Sequence, residues 1–397
     1  MNYNDFFENS LEKIKQDGRY RVFAHVDRHV EQFPVARVTL DGITKNAVLW
    51  CSNDYLNMGH NKDVLKAMER VLGENGGGAG GTRNIAGTAT HHEKLEQSLA
   101  RWCNAESALV FTSGYVANEA TLSTLGRNLP GCVIFSDEFN HASMIQGISH
   151  SKAQKFIFRH NDMEHLEELL KNVPLTTPKI IAAESVYSME GSVAPLSKIR
   201  DLAKKYNTLT YIDEVHAVGL YGKTGSGKIE ELGLSGQFDI VQGTLGKAVG
   251  IIGGFIAGRK SLVDFVRSFA PGFIFTTSLP PFLAAGACES VRILNTAEKL
   301  RDRHKNVVCS TKQALLENGF AFHDADTHII PLIIGNGKRC KDLAYKLFHD
   351  HDIYVQPINY PTVPVGTERF RLTPTPYHTE NHIESLIQAL KIIADSL

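Results

Sequence analysis

Leu209-Thr210-Tyr211-Ile212-Asp213-Glu214-Val215-His216 is a short β-prone run that stops on an acid. A second run at 240–241 leads into Gly243-Thr244-Leu245-Gly246-Lys247-Ala248, and an apolar, glycine-rich stretch at 250–257 follows. Outward from these two, apolar runs recur at 108–111, 133–135, 156–158, 180–183 and 254–257, most of them separated by helix-like stretches at 115–126, 142–149, 163–171 and 197–205. Short β-rich runs alternating with helical patterns predict crossover units and an α/β fold with a mostly parallel sheet. After Leu279-Pro280-Pro281 the texture changes. A long helical pattern covers 282–318, strand candidates lie at 329–334, 353–356 and 370–373, and helices are expected near 338–349 and 380–396. That predicts a smaller α+β domain, with a cleft between it and the large one. Phe6, Leu11 and Ile14 predict a short amphipathic helix at 5–16.

The chain has 397 residues, which at roughly 150 residues per domain gives two or three units. Lys and Arg total 42 against 43 Asp and Glu, a net charge of −1 that provides no electrostatic footprint for nucleic acid or an anionic membrane. No uninterrupted apolar window reaches the ~18 residues a spanning helix needs. Residues 1–21 carry acids and no apolar stretch, so neither a secretory signal nor a transit peptide is expected. Cys51, Cys103, Cys132, Cys288, Cys309 and Cys340 are scattered, without a C-x-x-C. They read as reduced thiols of a cytoplasmic protein, with no disulfide frame and no metal site.

Three motifs resemble nucleotide sites in the wrong context. Gly76-Gly77-Gly78-Ala79-Gly80-Gly81 satisfies G-x-G-x-x-G, but a helical pattern at 63–72 precedes it where the fingerprint needs a strand. Gly222-Lys223-Thr224-Gly225-Ser226-Gly227-Lys228 nearly matches a P-loop, yet Ile229 stands where a hydroxyl should ligate Mg²⁺. The ordinary reading of that stretch is a mobile, glycine-rich surface loop. The Asp213-Glu214-Val215-His216 segment precedes it in the chain, the reverse of an NTPase's order.

Asp213 supports another chemistry. It ends a strand at the sheet edge where open α/β folds bind ligands, and a buried carboxylate there needs a cationic partner. His216 can reach the same pocket. Lys247 lies in apolar surroundings that favour a neutral amine, the form that attacks a carbonyl. Thr244 can hold a phosphate, Ser113-Gly114-Tyr115 offers a helix N-terminus for an anion, and His141 places an imidazole at the start of another helix. Taken singly, each has a plainer reading: a solvated lysine, a helix-capping Asp213, a capping or core His141, a turn at Ser113-Gly114. Together they describe a site for pyridoxal 5′-phosphate, whose aldehyde bonds a lysine and whose ring nitrogen pairs with an acid.

GRYR (18–21), WCSNDYLNMG (50–59), GGTRNIAGT (80–88), SDEFNHASMIQG (136–147), ESVYSMEG (184–191), YIDEVHAVGLYG (211–222), GTLGKAVG (243–250), APGFIFTTSLPP (270–281) and YVQPINYPTVPVGTERFRLTPTP (354–376) follow one another in order. On these motifs nearly the whole chain resembles the 5-aminolevulinate synthases, fold-type I pyridoxal-phosphate enzymes of the α-oxoamine synthase group. The resemblance implies a mostly parallel seven-stranded sheet in a large domain at 51–281. It also implies a small α+β domain at 282–397 and an N-terminal segment, 1–50, packing at the active site. It implies that glycine and succinyl-CoA condense with loss of CO₂ to give 5-aminolevulinate, a haem and porphyrin precursor.

The same resemblance implies roles residue by residue. Lys247 would hold the cofactor and then act as base, Asp213 would keep the ring nitrogen protonated, His141 would stack on the ring, and His216 and Ser188 would tune its phenolic oxygen. Ser113, Gly114, Tyr115 and Thr244 would surround the phosphate, with Thr276 and Thr277 reaching over from the other subunit of a homodimer that shares its active sites. Arg371 with Asn53 would bind the glycine carboxylate, and Arg21 the distal carboxylate of succinyl-CoA. Thr82, Asn84 and Ile85 would shape the acyl pocket, Ser136 and Lys155 would also contact substrate, and Thr362 would crowd the amino-acid site. Arg21 together with the Thr82-Arg83-Asn84 run favours a carboxylated acyl group. Val249, Ala79 and Val365 depart from the family's usual aromatic, Ser and Arg. Another α-oxoamine synthase with a different acyl-CoA, and more distantly a P-loop-like NTPase, are the alternatives.

Overall fold

Three strands come first in the chain: β1 (His25–Asp27), β2 (Val35–Leu40) and β3 (Ile43–Leu49). Seven more follow: β4 (Ser107–Phe111), β5 (Val133–Asp137), β6 (Gln154–Phe158), β7 (Lys179–Glu184), β8 (Leu209–Asp213), β9 (Ile240–Thr244) and β10 (Gly254–Gly258). The last four are β11 (Ile330–Ile333), β12 (Ile353–Tyr354), β13 (Pro357–Ile358) and β14 (Arg369–Leu372). The structure, a computed structural model, describes residues 1–17, 19–323 and 325–395. Gly18 of the GRYR stretch and residues 396–397, at the end of the helix expected at 380–396 and of the small domain, lie outside the described residues.

Strands β4 to β10 form one seven-stranded sheet in the order β4-β10-β9-β8-β7-β5-β6. Only β10 runs against its neighbours. The link from Thr244 to Gly254 holds no helix, and without a crossover consecutive strands pair antiparallel. Each apolar run expected from the sequence lies inside one of these strands. Both faces of the sheet are covered, as parallel strands require. Ile180, Ala182 and Tyr211 pack on one side with Leu122, Leu125 and Ile148 of the helices Gly114–Asn128 and Ala142–Ser151. Their neighbours Ile181, Ala183 and Ile212 pack on the other side with Leu166, Leu170 and Ile199. The period of two along each strand sends alternate side chains to opposite faces.

The chain folds as two compact units. The sheet belongs to the unit formed by 53–188 and 192–302. The sequence placed the end of the large domain at 281, but the helix Pro281–Leu294 belongs to the sheet's unit. Its Ala284, Ala287, Val291 and Leu294 share a core with Val64, Leu95 and Leu99 of the helices Lys62–Asn75 and Thr90–Trp102. Gly286 lets this happen, because a Cβ there would strike the Met68 side chain. The long helical pattern at 282–318 is therefore two helices, Pro281–Leu294 and Glu298–Glu317.

The second unit comprises 1–52, 189–191 and 303–397. Its N-terminal meander pairs β1-β2-β3, and β12 adds in parallel to β3. β11-β14-β13 form a separate small sheet. Trp50, Leu347, Phe370 and Leu386 are among its fully buried side chains. The turn between β2 and β3 is Asp41-Gly42, both with positive φ, the pair that a tight hairpin demands.

The P-loop-like stretch is neither a phosphate cradle nor a mobile surface loop. Ser226 and Lys228 are buried. The backbone N–H groups of Thr224 and Ser226, and both hydroxyls, donate to the Glu230 carboxylate at 3.0–3.2 Å. The N–H groups of Lys228 and Ile229 donate to Glu214 at 3.0 and 2.8 Å, and Ser185 Oγ donates to it at 2.6 Å. The donors that would hold a nucleotide phosphate already hold protein carboxylates. The Lys228 amine pairs with Glu231 and lies 4.0 Å from the Tyr221 ring centre.

Burial pushes the Glu214 carboxyl from its ordinary 4.5 up to about 7 against these hydrogen bonds. A raised folded pKa means the native state retains a proton that the unfolded chain has lost, so the contribution of Glu214 to stability is full below 4.5 and falls as pH rises through 7. Glu214→Gln should remove this slope, worth up to about 3 kcal/mol. Thermal or urea unfolding of both proteins between pH 4.5 and 8 measures it.

Candidate active site

Glu184 and Asp213 face each other in register on β7 and β8, and Asp213 faces Gln242 on β9. Their strands end at one edge of the sheet, where Thr244 also closes β9. The Lys247 turn begins there. Leu245 N–H donates to Gly253 O, Ile251 N–H to Leu245 O and Gly250 N–H to Lys247 O. Within this turn Lys247 Nζ comes to 2.7 Å from His216 Nε2.

Asp213 is buried and accepts two hydrogen bonds, from Asn118 Nδ2 at 2.8 Å and from the Val215 N–H at 2.8 Å. Burial raises its pKa, and the two bonds, Lys247 and His141 pull it back. Asn118 is fixed by three partners. Its amide donates to Asp213 and to Ser143 Oγ at 2.9 Å, and its Oδ1 accepts from the Tyr211 hydroxyl at 2.7 Å. Ser143 then has its own hydroxyl proton to give to His141 Nδ1, 2.7 Å away. The Ser143 N–H also points at Nδ1. His141 thus keeps its proton on Nε2 when neutral, and desolvation lowers its pKa. Its backbone N–H donates to Glu184 Oε1 at 2.6 Å. Glu184 is buried and its pKa is driven well up by burial and by the neighbouring Asp213.

Sequence reasoning singled out Asp213, His141, His216 and Lys247 but not Asn118, Ser143, Tyr211 and Glu184, which the structure places among them. Asn118 sits in a helix whose Thr121, Ser123 and Thr124 are buried too, so polarity marks no exposed face there. A polar helix face that is not a solvent face was the available signal.

The phosphate-binding candidates gather at one helix start. Ser113 Oγ caps the helix Gly114–Asn128 by accepting from the Val116 N–H at 3.1 Å. A Cβ on Gly114 would lie 3.3 Å from Thr244 Oγ1, and a Cβ on Gly254 would overlap the backbone of Ser113 and Gly114. Two glycines therefore let the helix N-terminus meet the sheet edge beside Thr244. Tyr115 is exposed, with its ring edge toward His141 at 6.4 Å. An amine, a buried acid, an imidazole and a serine-capped helix N-terminus with the Thr244 hydroxyl beside it fit pyridoxal phosphate.

The other expected residues are more dispersed. Ser188 and Thr276 are half-buried. Exposed Thr277 bridges to Thr82, and Ser278 N–H donates to Gly81 O, so these segments run side by side. Asn84 and Ile85 are exposed on the same turn. Arg83 does not add charge to an acyl pocket: its guanidinium grips Glu96 at 2.7 and 3.0 Å and donates to Thr88. Ser136 is buried with its hydroxyl between Asn140 and the Asp137 carbonyl, and Lys155 is exposed on the edge strand β6. In the other unit, Arg21 donates to Thr362 at 3.3 Å, and Arg371 is buried on β14 opposite Pro331. Of the departures, Val249 is buried in the core, Ala79 is half-buried and Val365 is exposed.

The sheet and its Lys247 edge define a fold-type I architecture, and the aminotransferase class I and II family model matches residues 45–390. A 5-aminolevulinate synthase of Rhizobium meliloti is 50% identical over 98% of this chain and 96% of its own. The mitochondrial 5-aminolevulinate synthase of Schizosaccharomyces pombe is 52% identical over 98% of this chain and 70% of its own. A solved serine palmitoyltransferase from S. paucimobilis, with a bound PLP-myriocin aldimine, matches with a TM-score of 0.89 at 30% identity, over 99% of this chain and 97% of that one. The chain belongs to the 5-aminolevulinate synthase family.

Asn118→Ala removes one of the two N–H groups that hold Asp213 charged. A hydrogen bond to a charged group is worth about 1.5–3 kcal/mol, so pyridoxal phosphate should bind roughly 10- to 100-fold more weakly. Because the Asp213 pKa rises further, the defect should deepen as pH falls. Equilibrium dialysis across pH checks both.

Proposed function

We propose that this protein catalyses the pyridoxal-phosphate-dependent, decarboxylating condensation of glycine with succinyl-CoA to 5-aminolevulinate, CoA and CO₂. The observation that carries this reading is the convergence of Lys247, His216 and the Asn118-held Asp213 at one sheet edge. When bound, pyridoxal phosphate supplies an aldehyde for the amine of glycine and a ring that draws electron density from the glycine Cα. Asp213 keeps a proton on the ring nitrogen. The helix start at Ser113-Gly114-Tyr115, with Thr244, takes the phosphate. His141, its orientation held by Ser143 and Glu184, would stack on the ring.

Lys247 Nζ removes a proton from the glycine Cα, and His216 holds the lysine in place. The glycine Cα then forms a bond to the succinyl carbonyl carbon, and the CoA thiolate leaves. The former glycine carboxylate departs as CO₂, and Lys247 returns a proton to the same carbon. Arg371 suits the glycine carboxylate and Arg21 the distal succinyl carboxylate, because a guanidinium fork matches a planar carboxylate.

A homodimer belongs to this reading. Phe6, Phe7 and Leu11 on the first helix, and Phe275 beside Thr276, are exposed, and a partner subunit would cover them. Among the described residues no helix is long and apolar enough to cross a membrane. Six unpaired cysteines fit a cytoplasmic setting.

Glycine supplied with a panel of acyl-CoAs tests the assignment. Succinyl-CoA should give the highest kcat/KM, and preference for acetyl-CoA or a long-chain acyl-CoA would point to a sister α-oxoamine synthase. Lys247→Ala should cut product formation by about 10³-fold or more, the scale on which a general base acts. Borohydride reduction of the wild type should leave the cofactor attached to Lys247 by peptide mass.

A further inference from the structure

His160 takes no part in the chemistry above, yet its ring is engaged on every side. Nδ1 is 2.9 Å from Asp137 Oδ1, and Nε2 is 2.8 Å from Ser192 Oγ. Phe139 stacks on the ring with centres 4.5 Å apart, and Tyr187 meets it edge-on at 4.4 Å. The imidazole is only 16% exposed and Asp137 1%. A carboxylate only accepts, so Nδ1 carries the proton of the neutral ring and Nε2 can accept from the Ser192 hydroxyl.

These four partners lie on two segments. Asp137 and Phe139 belong to the turn that leaves β5 and ends at His141. That turn is wound on Asp137, whose carboxylate accepts the N–H groups of Phe139 and Asn161 at 2.9 and 3.0 Å and whose carbonyl accepts the Asn140 N–H at 3.2 Å. Tyr187 and Ser192 belong to the hairpin that leaves β7 and carries Ser188. It opens beside the buried acid: Ser185 N–H donates to Asp213 O at 2.8 Å, Ala194 N–H to Ser185 O at 3.0 Å and Tyr187 N–H to Ser192 O at 2.9 Å. Ser188 follows directly on Tyr187, so that last rung places its backbone. The β5–β7 ladder ends at the Ser136–Ala182 pair, and His160 spans the two segments beyond that point. Asn161 repeats the connection. Its backbone N–H donates to Asp137, and its side-chain amide donates to Val193 O at 3.1 Å.

We infer that His160 is a positioning residue: it joins the turn that presents His141 to the hairpin that presents Ser188, and so sets the two groups relative to each other. This rests on the reading of the site just given, in which both serve pyridoxal phosphate. The test compares wild type, Ser192→Ala, Ser192→Thr and His160→Phe as holoenzymes. The readouts are the visible absorbance of the cofactor without substrate, kcat, and the melting temperature. Ser192→Ala cuts the tie to the hairpin and leaves the Asp137 pair intact. His160→Phe keeps the two ring contacts and removes both polar ones. Each should change the position or ratio of the visible bands before glycine is added. Each should also lower kcat roughly 10- to 100-fold, the scale on which a misplaced group in a site acts. Ser192→Thr retains the hydroxyl and should return the bands and kcat toward wild type.

The bands decide. Wild-type bands in Ser192→Ala overturn the inference, whatever its kcat or melting temperature, because a loss of stability alone would not move the cofactor's spectrum. Bands in Ser192→Thr as altered as those of Ser192→Ala also overturn it, since the hydroxyl would then not be the tie. If His160→Phe does not fold, the two Ser192 variants give the answer. The band comparison needs no acyl substrate. A wild type that makes no 5-aminolevulinate would therefore count against the assigned reaction and leave this result standing.

Discussion

A carboxylate held by hydrogen bonds at the buried end of β8 is the constraint on which the site depends. Asp213 is buried, and burial alone would favour the neutral acid. Asn118 and the Val215 N–H oppose that, and Asn118 can do so only because Tyr211 and Ser143 occupy its other valences. These groups come from four places: the strand, the turn that follows it, the helix packed on that strand and the helix beside it. The packing of the Gly114–Asn128 and Ala142–Ser151 helices on the sheet is thus what sets a protonation state. A shift of that packing by a fraction of an ångström would be felt as a change in acid strength before it was felt as a loss of fold.

The site contains two kinds of histidine. His141 gives its backbone N–H to Glu184 and takes its tautomer from Ser143. His216 stands between the Tyr55 hydroxyl, 2.8 Å from Nδ1, and Lys247 Nζ, 2.7 Å from Nε2. At His141 the ring's tautomer is decided by a hydroxyl one residue further out, whose own proton is directed by the Asn118 amide. Amides suit this duty because they do not titrate, so they hold direction across pH where a carboxylate would not.

Much of this was legible in the chain. The strand ends at Asp213 and Thr244, the lysine between short apolar runs and the helix start at Ser113 all declare themselves by pattern, because parallel strands buried on both faces are written as plain apolar runs. Other features were not read from the chain. Asn118 and Ser143 look like ordinary polar helix residues, and only tertiary packing makes them interior. Glu184 closes an apolar strand just as Asp213 does, yet nothing nearby in sequence announced a histidine N–H as its partner. The β2–β3 hairpin was overlooked, although Asp41-Gly42 between two alternating runs is a turn signal. The division of 282–318 into two helices, the second of them divided between the units at 302–303, was not legible because a continuous apolar period does not say which core each turn will join.

Glu230 and Glu214 carry a consequence for how this fold can change. The stretch 222–229 converges its donors on two carboxylates that belong to the protein itself. It is, in effect, an anion-binding loop born occupied. Replacing Glu230 by a small neutral residue would leave the N–H and hydroxyl groups of Thr224 and Ser226 aimed at a vacated point on a scaffold already built around them. One glutamate of the chain thus fills the place that a free anion would take among these donors.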